Sequence, residues 1–242
     1  MASTLDTDLW FRRLSEAPPD APRLVCFPHA GGSASWYQPF AQHFEGRAEL
    51  VAVQYPGRQD RRSEPLIDDI RALAGQIAPL LTRDRPLHLF GHSMGAMIAF
   101  EVALRHEPDH LFVSGRRAPQ LVRDDRVHQR DDAGLIAEVR GLAGTNARVF
   151  DDEELVRMVL PAIRADYRAA ETYRYRPGPA LRCPLTALTG DADPKASVDE
   201  VGRWRERTTG AFTLEVFSGG HFFLSDNRSA VAAFVSGESP SA

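Results

Sequence analysis

The most specific chemical signal in the sequence is the pentapeptide Gly91-His92-Ser93-Met94-Gly95. It follows an apolar run typical of a strand and precedes a pattern typical of a helix, and in that context G-x-S-x-G forms a sharp turn that exposes the serine. The glycines leave room for the turn, and the N-terminus of the following helix favours the negative charge that develops during nucleophilic attack. The pattern predicts that Ser93 is a nucleophile.

A serine hydroxyl needs a base, and the base needs a group that orients it. When the nucleophile lies on such a turn in a parallel sheet, an acid and then a histidine follow it along the chain. Of the eight histidines, His221 is the only one after the last predicted strand, and two glycines precede it. This position favours a catalytic base over an ordinary surface-loop histidine.

The acid is expected at the end of the strand before, where Thr189-Gly190-Asp191-Ala192-Asp193-Pro194 offers two carboxylates. One of them would hold the imidazole of His221 in the correct tautomer, and the other would form the turn. Spacing alone does not choose between Asp191 and Asp193. Asp199 is a third candidate, but the capping box Ser197-Val198-Asp199-Glu200 places it inside the next helix.

Hydrolysis through a serine also needs two backbone N–H groups that face the charged oxygen of the tetrahedral intermediate, the oxyanion hole. One donor is predicted to be Met94, directly after the nucleophile. The other is expected from the loop Pro28-His29-Ala30-Gly31-Gly32-Ser33, with Ala30 favoured and Gly31 as the alternative. A phosphate-binding loop is the rival interpretation, but this segment matches neither glycine-rich phosphate motif.

A second motif, His106-Glu107-Pro108-Asp109-His110, fits the H-E-x-x-H pattern of zinc peptidases. That chemistry needs both histidines on one face of a regular helix, and Pro108 disrupts the turn that would align them. We therefore interpret the segment as a helix ending and expect no metal site.

These residues must be positioned by strands and helices, and short apolar runs alternating with helical periodicity predict them. The predicted strands are 24–27, 50–53, 87–90, 111–113, 185–188 and 213–217, and one helical stripe comprises Leu66, Ile70, Leu73, Ile77 and Leu80. This alternation predicts an α/β fold with a mostly parallel sheet. The alternation breaks between the predicted strands 111–113 and 185–188. Two helical patterns follow each other there, near 131–142 and 152–173, and the second is expected to be kinked at Pro161. They predict a helical insertion. The expected organisation is a single domain, 1–242, with a lid insertion at about 117–181.

Composition excludes several classes of protein. The chain has 242 residues, 43% of them hydrophobic, and a net charge of −4, so no global basic field exists to bind nucleic acid or an anionic membrane. The polar, acidic start does not resemble a secretory signal, and no apolar run approaches the roughly 18 residues of a membrane span. Cys26 and Cys183 are expected to be buried free thiols. A cytoplasmic monomer is the expectation.

Taken in order, the motifs 28–32, 55–58, 91–95, 190–194 and 219–222 closely resemble those of the type II thioesterases of polyketide and non-ribosomal peptide assembly lines. The resemblance covers almost the whole chain and implies an α/β-hydrolase fold with a mobile lid. It also implies that Ser93, Asp193 and His221 form the catalytic triad, without metal or organic cofactor. Members of that family hydrolyse stalled or wrong acyl groups from the phosphopantetheine arm of acyl or peptidyl carrier proteins.

Because that arm carries a phosphate, Arg58, Arg61 and Arg62 after the second predicted strand are candidate substrate-binding residues. The alternative is a solvated charged loop with Asp60 and Glu64 as partners.

Six apolar residues of the insertion are expected mainly to pack, although a lid must show some of them to the substrate: Leu135, Val139, Leu142, Leu155, Val159 and Ile163. Two functions compete with the carrier-protein thioesterase. One is a carboxylesterase or acyl-CoA thioesterase for free small molecules, and the other is a non-catalytic binder on the same fold.

Overall fold

The computed structural model describes residues 4–143 and 152–237 of the chain. Within these residues seven strands form one sheet in the order β1-β3-β2-β4-β5-β6-β7. Strand β1 runs antiparallel to β3, and every other neighbouring pair is parallel. The strands are β1 (Phe11–Arg13), β2 (Arg23–Phe27), β3 (Glu49–Val53), β4 (Leu87–His92), β5 (His110–Ser114), β6 (Leu185–Gly190) and β7 (Phe212–Phe217).

The helices cover both faces of this sheet. They are α1 (Thr4–Trp10), α2 (Gln38–Phe44), α3 (Ile70–Ile77), α4 (Met94–Ala103), α5 (Asp132–Ala143), α6 (Glu153–Thr172), α7 (Val198–Gly202) and α8 (Arg228–Val235). Successive residues of a strand point to opposite faces. Val25 and Phe27 of β2 therefore join the core with α3 and α4, whereas Leu24 and Cys26 join the core with α2 and α8.

Helix α4 follows the serine motif and lies in the middle of the first core. All ten of its residues are buried, and all except Glu101 are apolar. This burial fixes the N-terminus of α4, and therefore the turn that precedes it, at the carboxyl edge of the sheet.

Helices α5 and α6 lie between β5 and β6, in the segment 117–181 that we call the helical insertion. Asp152 caps α6 by accepting from the N–H groups of Glu154 and Leu155, and the helix continues past Pro161. A small apolar cluster holds the insertion together: Val127, Leu135, Leu160 and Ile163 are its buried members.

All six predicted strands and the mostly parallel sheet are confirmed. Sequence analysis missed α1, α2 and the short antiparallel strand β1. It also made α3 too long, because Asp69 caps its start and Pro79 lies in the tight turn that follows its end, so Leu66 and Leu80 fall outside the helix.

Both cysteines are free and buried. In the described part of the chain, no helix has the combined length and apolar character that crossing a bilayer requires.

Candidate active site

Ser93 lies in the turn between β4 and α4 with a backbone φ of 55° and ψ of −115°. A positive φ is rare for a residue with a Cβ and is found where the surrounding structure enforces it. A Cβ at Gly91 would lie 2.2 Å from the carbonyl oxygen of Gly95, and one at Gly95 would lie 2.0 Å from that of Phe27. The glycines of the motif are therefore required by close backbone approach, as the sequence indicates.

His221 links the serine to a carboxylate. Its Nε2 lies 3.0 Å from the Oγ of Ser93, and its Nδ1 lies 2.9 Å from Oδ2 and 3.0 Å from Oδ1 of Asp193. The imidazole is 4% exposed and the carboxylate 0% exposed. Asp193 Oδ1 also accepts from the backbone N–H of Lys195 at 2.8 Å. The three side chains follow β4, β6 and β7, whose carboxyl ends meet at one edge of the sheet.

The structure distinguishes the two aspartates that spacing alone left open, since Asp193 contacts His221 and Asp191 does not. Asp191 is exposed, and its Oδ1 accepts from the backbone N–H of Gly219 at 2.9 Å, so it joins the two loops without touching His221. The loops approach closely because a Cβ at Gly190 would lie 2.3 Å from the carbonyl oxygen of Gly219. Asp199 is exposed in the first turn of α7, away from the histidine.

The predicted oxyanion donors both line the cavity that contains Ser93. Met94 is the first residue of α4, so its N–H has no acceptor within the helix. Ala30 N–H donates to no protein acceptor among the described residues. Gly31 N–H, the alternative, donates instead to Oδ2 of Asp166 on α6 at 2.7 Å. The arrangement therefore favours Ala30 and leaves Gly31 unavailable.

A cavity of about 470 Å³ opens between this edge of the sheet and the helical insertion. Besides Ser93 and His221, its wall is largely apolar and includes Trp36, Phe40, Val139, Leu142, Val159 and Ile163. Val139, Val159 and Ile163 also belong to the apolar cluster of the insertion, so the expectation that these residues mainly pack while some of them face the cavity holds for all three. It is correct for Leu135, which is fully buried, while Leu155 is 43% exposed.

Two further histidines, His29 and His92, lie near His221, and no role for either was predicted from the sequence. His92 stacks on Trp36 with the rings 5.8 Å apart and parallel within 2°, and its ring lies 5.2 Å from that of His221. Burial, followed by the proximity of His221, lowers the pKa of His29 to about 3 and that of His92 well below its usual value. Both rings therefore stay neutral near neutral pH and place no cation beside His221.

The three arginines proposed to bind phosphate do not gather at the cavity, and none of them lines it. The guanidinium of Arg58, 9% exposed, pairs with the carboxylate of Asp166. That of Arg61, 5% exposed, bonds to Glu64 and the carbonyl of Gln54. The phosphate-binding prediction is therefore not supported for Arg58 and Arg61, because both are committed to internal partners. Arg62 is exposed.

The segment with the zinc-peptidase pattern does not form a helix that could hold a metal. Helix α4 ends at Ala103, before the motif, and His110 begins β5. The carboxylate of Glu107 accepts from the backbone N–H groups of Arg182 and Cys183. Residues 4–143 and 152–237 contain no cluster of three or more His, Cys, Asp or Glu side chains that could hold a metal ion.

Sheet order and site geometry together define a protein of the α/β-hydrolase fold, and comparison with known proteins gives its family. Residues 22–238 match the family model described as thioesterase domain. The chain belongs to this thioesterase family, whose members are hydrolases.

Three relatives illustrate the similarity. The chain is 54% identical over 229 residues to the probable cadicidin biosynthesis thioesterase of Streptomyces griseus, covering 92% of this chain and 63% of that protein. It is 50% identical over 231 residues to thioesterase PikA5 of Streptomyces venezuelae, covering 92% and 82%. Among solved structures, the type II thioesterase BorB from the borrelidin biosynthetic cluster is 51% identical with a TM-score of 0.88, covering 95% of this chain and 97% of that one. The chain thus spans less than two thirds of the Streptomyces griseus relative.

Proposed function

We propose that the protein is a serine thioesterase that removes acyl groups from the phosphopantetheine arm of carrier proteins, with Ser93, His221 and Asp193 as its catalytic triad. The observation that carries this proposal is the unbroken chain of contacts from the Ser93 hydroxyl through the His221 imidazole to the Asp193 carboxylate, at the wall of an apolar cavity. A serine and histidine within hydrogen-bond distance, with the histidine oriented by a third group, are the parts that covalent acyl transfer requires.

The first half of the reaction forms an acyl-enzyme. Ser93 Oγ attacks the thioester carbonyl carbon while His221 Nε2 takes the hydroxyl proton, and Asp193 stabilises the imidazolium. The N–H groups of Ala30 and Met94 stabilise the oxyanion of the tetrahedral intermediate. The carbon–sulfur bond then breaks, and His221 gives its proton to the departing pantetheine thiolate.

The second half releases the acid. His221 takes a proton from a water molecule as the water oxygen attacks the acyl carbonyl carbon, forming a second tetrahedral intermediate in the same oxyanion hole. The bond between Ser93 Oγ and the acyl carbon breaks, and His221 returns the proton to the serine. The free carboxylic acid leaves, and every group is restored.

Carrier-bound substrates are supported by two lines of reasoning. The relatives include a protein named for cadicidin biosynthesis and a type II thioesterase from the borrelidin cluster. We therefore infer that this chain serves a pathway of that kind, with the editing role that the family resemblance implies, the removal of aberrant or stalled acyl groups. The insertion contributes the apolar side chains of Val139, Leu142 and Val159 to the cavity wall, and this part of the wall suits an acyl chain. We propose that the insertion acts as a lid over the bound acyl group. The exposed Arg62 is the remaining candidate for contact with the phosphate of the arm or with an acidic carrier surface.

The substrate class is tested by comparing one acyl group on three leaving groups: an acyl carrier protein, coenzyme A and p-nitrophenol. We expect the wild type to show the highest kcat/KM with the acyl carrier protein and Ser93→Ala to be inactive with all three. Equal or better use of the two small substrates by the wild type would favour the esterase or acyl-CoA thioesterase instead.

A further inference from the structure

A buried carboxylate on the helical insertion contacts the loop that carries the proposed oxyanion donor. Asp166 lies in the middle of α6, and its side chain is 0% exposed. Its Oδ2 accepts from the backbone N–H of Gly31 at 2.7 Å and from Arg58 Nη1 at 2.6 Å, and its Oδ1 accepts from Arg58 Nη2 at 2.9 Å. Burying a charge is costly unless it is paired and hydrogen-bonded, and here both conditions are met.

The contact falls on the peptide that follows Ala30. Gly32 N–H donates to the carbonyl of His29 at 2.9 Å, and Gly31 has a φ of +77°, so residues 29–32 form a type II turn with Ala30 and Gly31 at its centre. Turns of types I and II differ in the orientation of this central peptide. By accepting from Gly31 N–H, Asp166 stabilises the type II orientation.

Other contacts hold the ends of the loop but not its centre. The hydroxyl of Tyr55 donates to the carbonyl of Pro28 at 3.2 Å, and Arg58 Nη1 donates to the carbonyl of Gly32 at 3.1 Å. At the centre, α6 lies so close that a Cβ on Gly31 would be 2.8 Å from Cγ1 of Ile163. The central peptide is thus held from the side of the insertion, by the helix that carries Asp166.

We infer that Asp166 is a positioning residue for the oxyanion hole, through its hydrogen bond to the Gly31 peptide. Arg58 neutralises the negative charge of Asp166, so that this charge does not oppose the oxyanion. This inference rests on the proposed function, because it needs an oxyanion at Ala30. An unpaired carboxylate beside the turn would repel the negative oxygen of the tetrahedral intermediate, and the two-point contact with Arg58 neutralises it. The guanidinium that the sequence suggested for substrate phosphate therefore acts inside the protein.

The test measures whether transition-state binding falls while substrate binding is kept. Asp166→Ala removes the acceptor of Gly31 N–H, and we expect kcat/KM for a p-nitrophenyl ester to fall about 100-fold, the effect of losing one oxyanion donor. The Ki of a trifluoromethyl ketone, which forms a charged tetrahedral adduct with Ser93, should rise by the same factor. The Kd of a matching thioether without a carbonyl should stay the same.

Two variants separate positioning from simple loss of structure. Asp166→Asn keeps an oxygen that can accept from Gly31 N–H, so it should retain most of the activity that Asp166→Ala loses. The double variant Arg58→Met/Asp166→Leu removes the acceptor, together with the Arg58 bond to the Gly32 carbonyl, without leaving a buried unpaired charge, and should show the same selective loss even if Asp166→Ala does not fold.

The matched control is Asp68→Asn. Asp68 pairs with Arg168 of α6 at 2.9 Å and does not touch the 28–33 loop, so its loss weakens the attachment of α6 without affecting Gly31. Wild-type kinetics are expected. An equal loss of kcat/KM in Asp68→Asn, or a parallel weakening of ketone and thioether binding in the Asp166 variants, would overturn the inference. A wild type that neither hydrolyses the ester nor binds the ketone would overturn the proposed function as well.

Discussion

Replacing Asp193 by asparagine tests the proposed role of the acid with little change of shape. In the wild type, Oδ1 accepts from the backbone N–H of Lys195 at 2.8 Å, and Oδ2 lies 2.9 Å from Nδ1 of His221. Asparagine has only one oxygen, and we expect the backbone N–H of Lys195 to hold it. The amide NH₂ then faces His221 Nδ1, so the imidazole must carry its proton on Nε2, which faces Ser93. In this tautomer His221 cannot take the serine proton.

The expected loss of kcat is large, because His221 can no longer act as a base although its position is kept. The same exchange in a serine protease triad lowers kcat about 10⁴-fold, which corresponds to about 5 kcal/mol of activation free energy. The assay is the release of carrier thiol from an acyl carrier protein at pH 7, with thermal unfolding measured in parallel to show that the fold is intact. Asp191→Asn is the matched control, because Asp191 is exposed and its side chain, among residues 4–143 and 152–237, accepts a hydrogen bond only from the backbone N–H of Gly219.

The two aspartates should therefore differ sharply. Asp191→Asn is expected to stay within about twofold of wild type, as for a surface substitution worth under about 0.5 kcal/mol. A loss of less than about tenfold, or about 1.4 kcal/mol, in a folded Asp193→Asn would show that Asp193 does not set the tautomer of His221. A larger loss in Asp191→Asn would move the role to that residue.

Three further predictions concern the turn, the pH dependence and the arginines. Gly95→Ala places a Cβ 2.0 Å from the carbonyl oxygen of Phe27, and we expect the free energy of unfolding in urea to fall by about 3 kcal/mol. Burial, followed by the nearby His88 ring, lowers the pKa of His110 to about 4. Between pH 4 and about 6.5, the His110 imidazole is therefore protonated in the unfolded chain but neutral in the folded protein. The free energy of unfolding should fall by up to about 1 kcal/mol per pH unit as the pH drops through that range, and less steeply in His110→Gln. Arg62→Ala should raise KM for the acyl carrier protein about threefold, an effect removed at about 0.5 M salt, whereas Arg61→Met should lower stability and leave KM unchanged.

Each of these has a result that would contradict it. Wild-type stability in Gly95→Ala would mean that the turn does not require a glycine there. Identical pH profiles of wild type and His110→Gln would mean that this ring is not neutral in the folded protein. A raised KM in Arg61→Met would restore the phosphate role that the sequence suggested for Arg61.

The sequence predicted the parts of the site whose chemistry is local. The turn at Ser93 needs glycines within two residues, and a chain-order rule for parallel sheets placed an aspartate and then His221 at the same edge. Such features are set by neighbours in sequence and by the alternation of strands and helices. The choice between Asp191 and Asp193 was not local, because it depends on how two loops cross near Gly190 and Gly219.

What could not be predicted depends on contacts between distant segments. Arg58 looked available for phosphate because its partner, Asp166, lies 108 residues away on α6 and no local pattern marks an aspartate there as buried. The same holds for Val139 and Val159, since periodicity shows that a helix face is apolar without showing whether it faces a core or a cavity. Tertiary packing gave these residues their roles.

Trapping the acyl-enzyme tests whether Ser93 is acylated during hydrolysis of a carrier thioester. The protein is mixed with an acyl carrier protein, quenched in acid within the first turnovers, and digested for peptide mass spectrometry. This mechanism predicts the acyl mass on the peptide containing Ser93 and on no other, with none in Ser93→Ala. Turnover of the carrier without any acyl mass on Ser93, or undiminished turnover by Ser93→Ala, would contradict it.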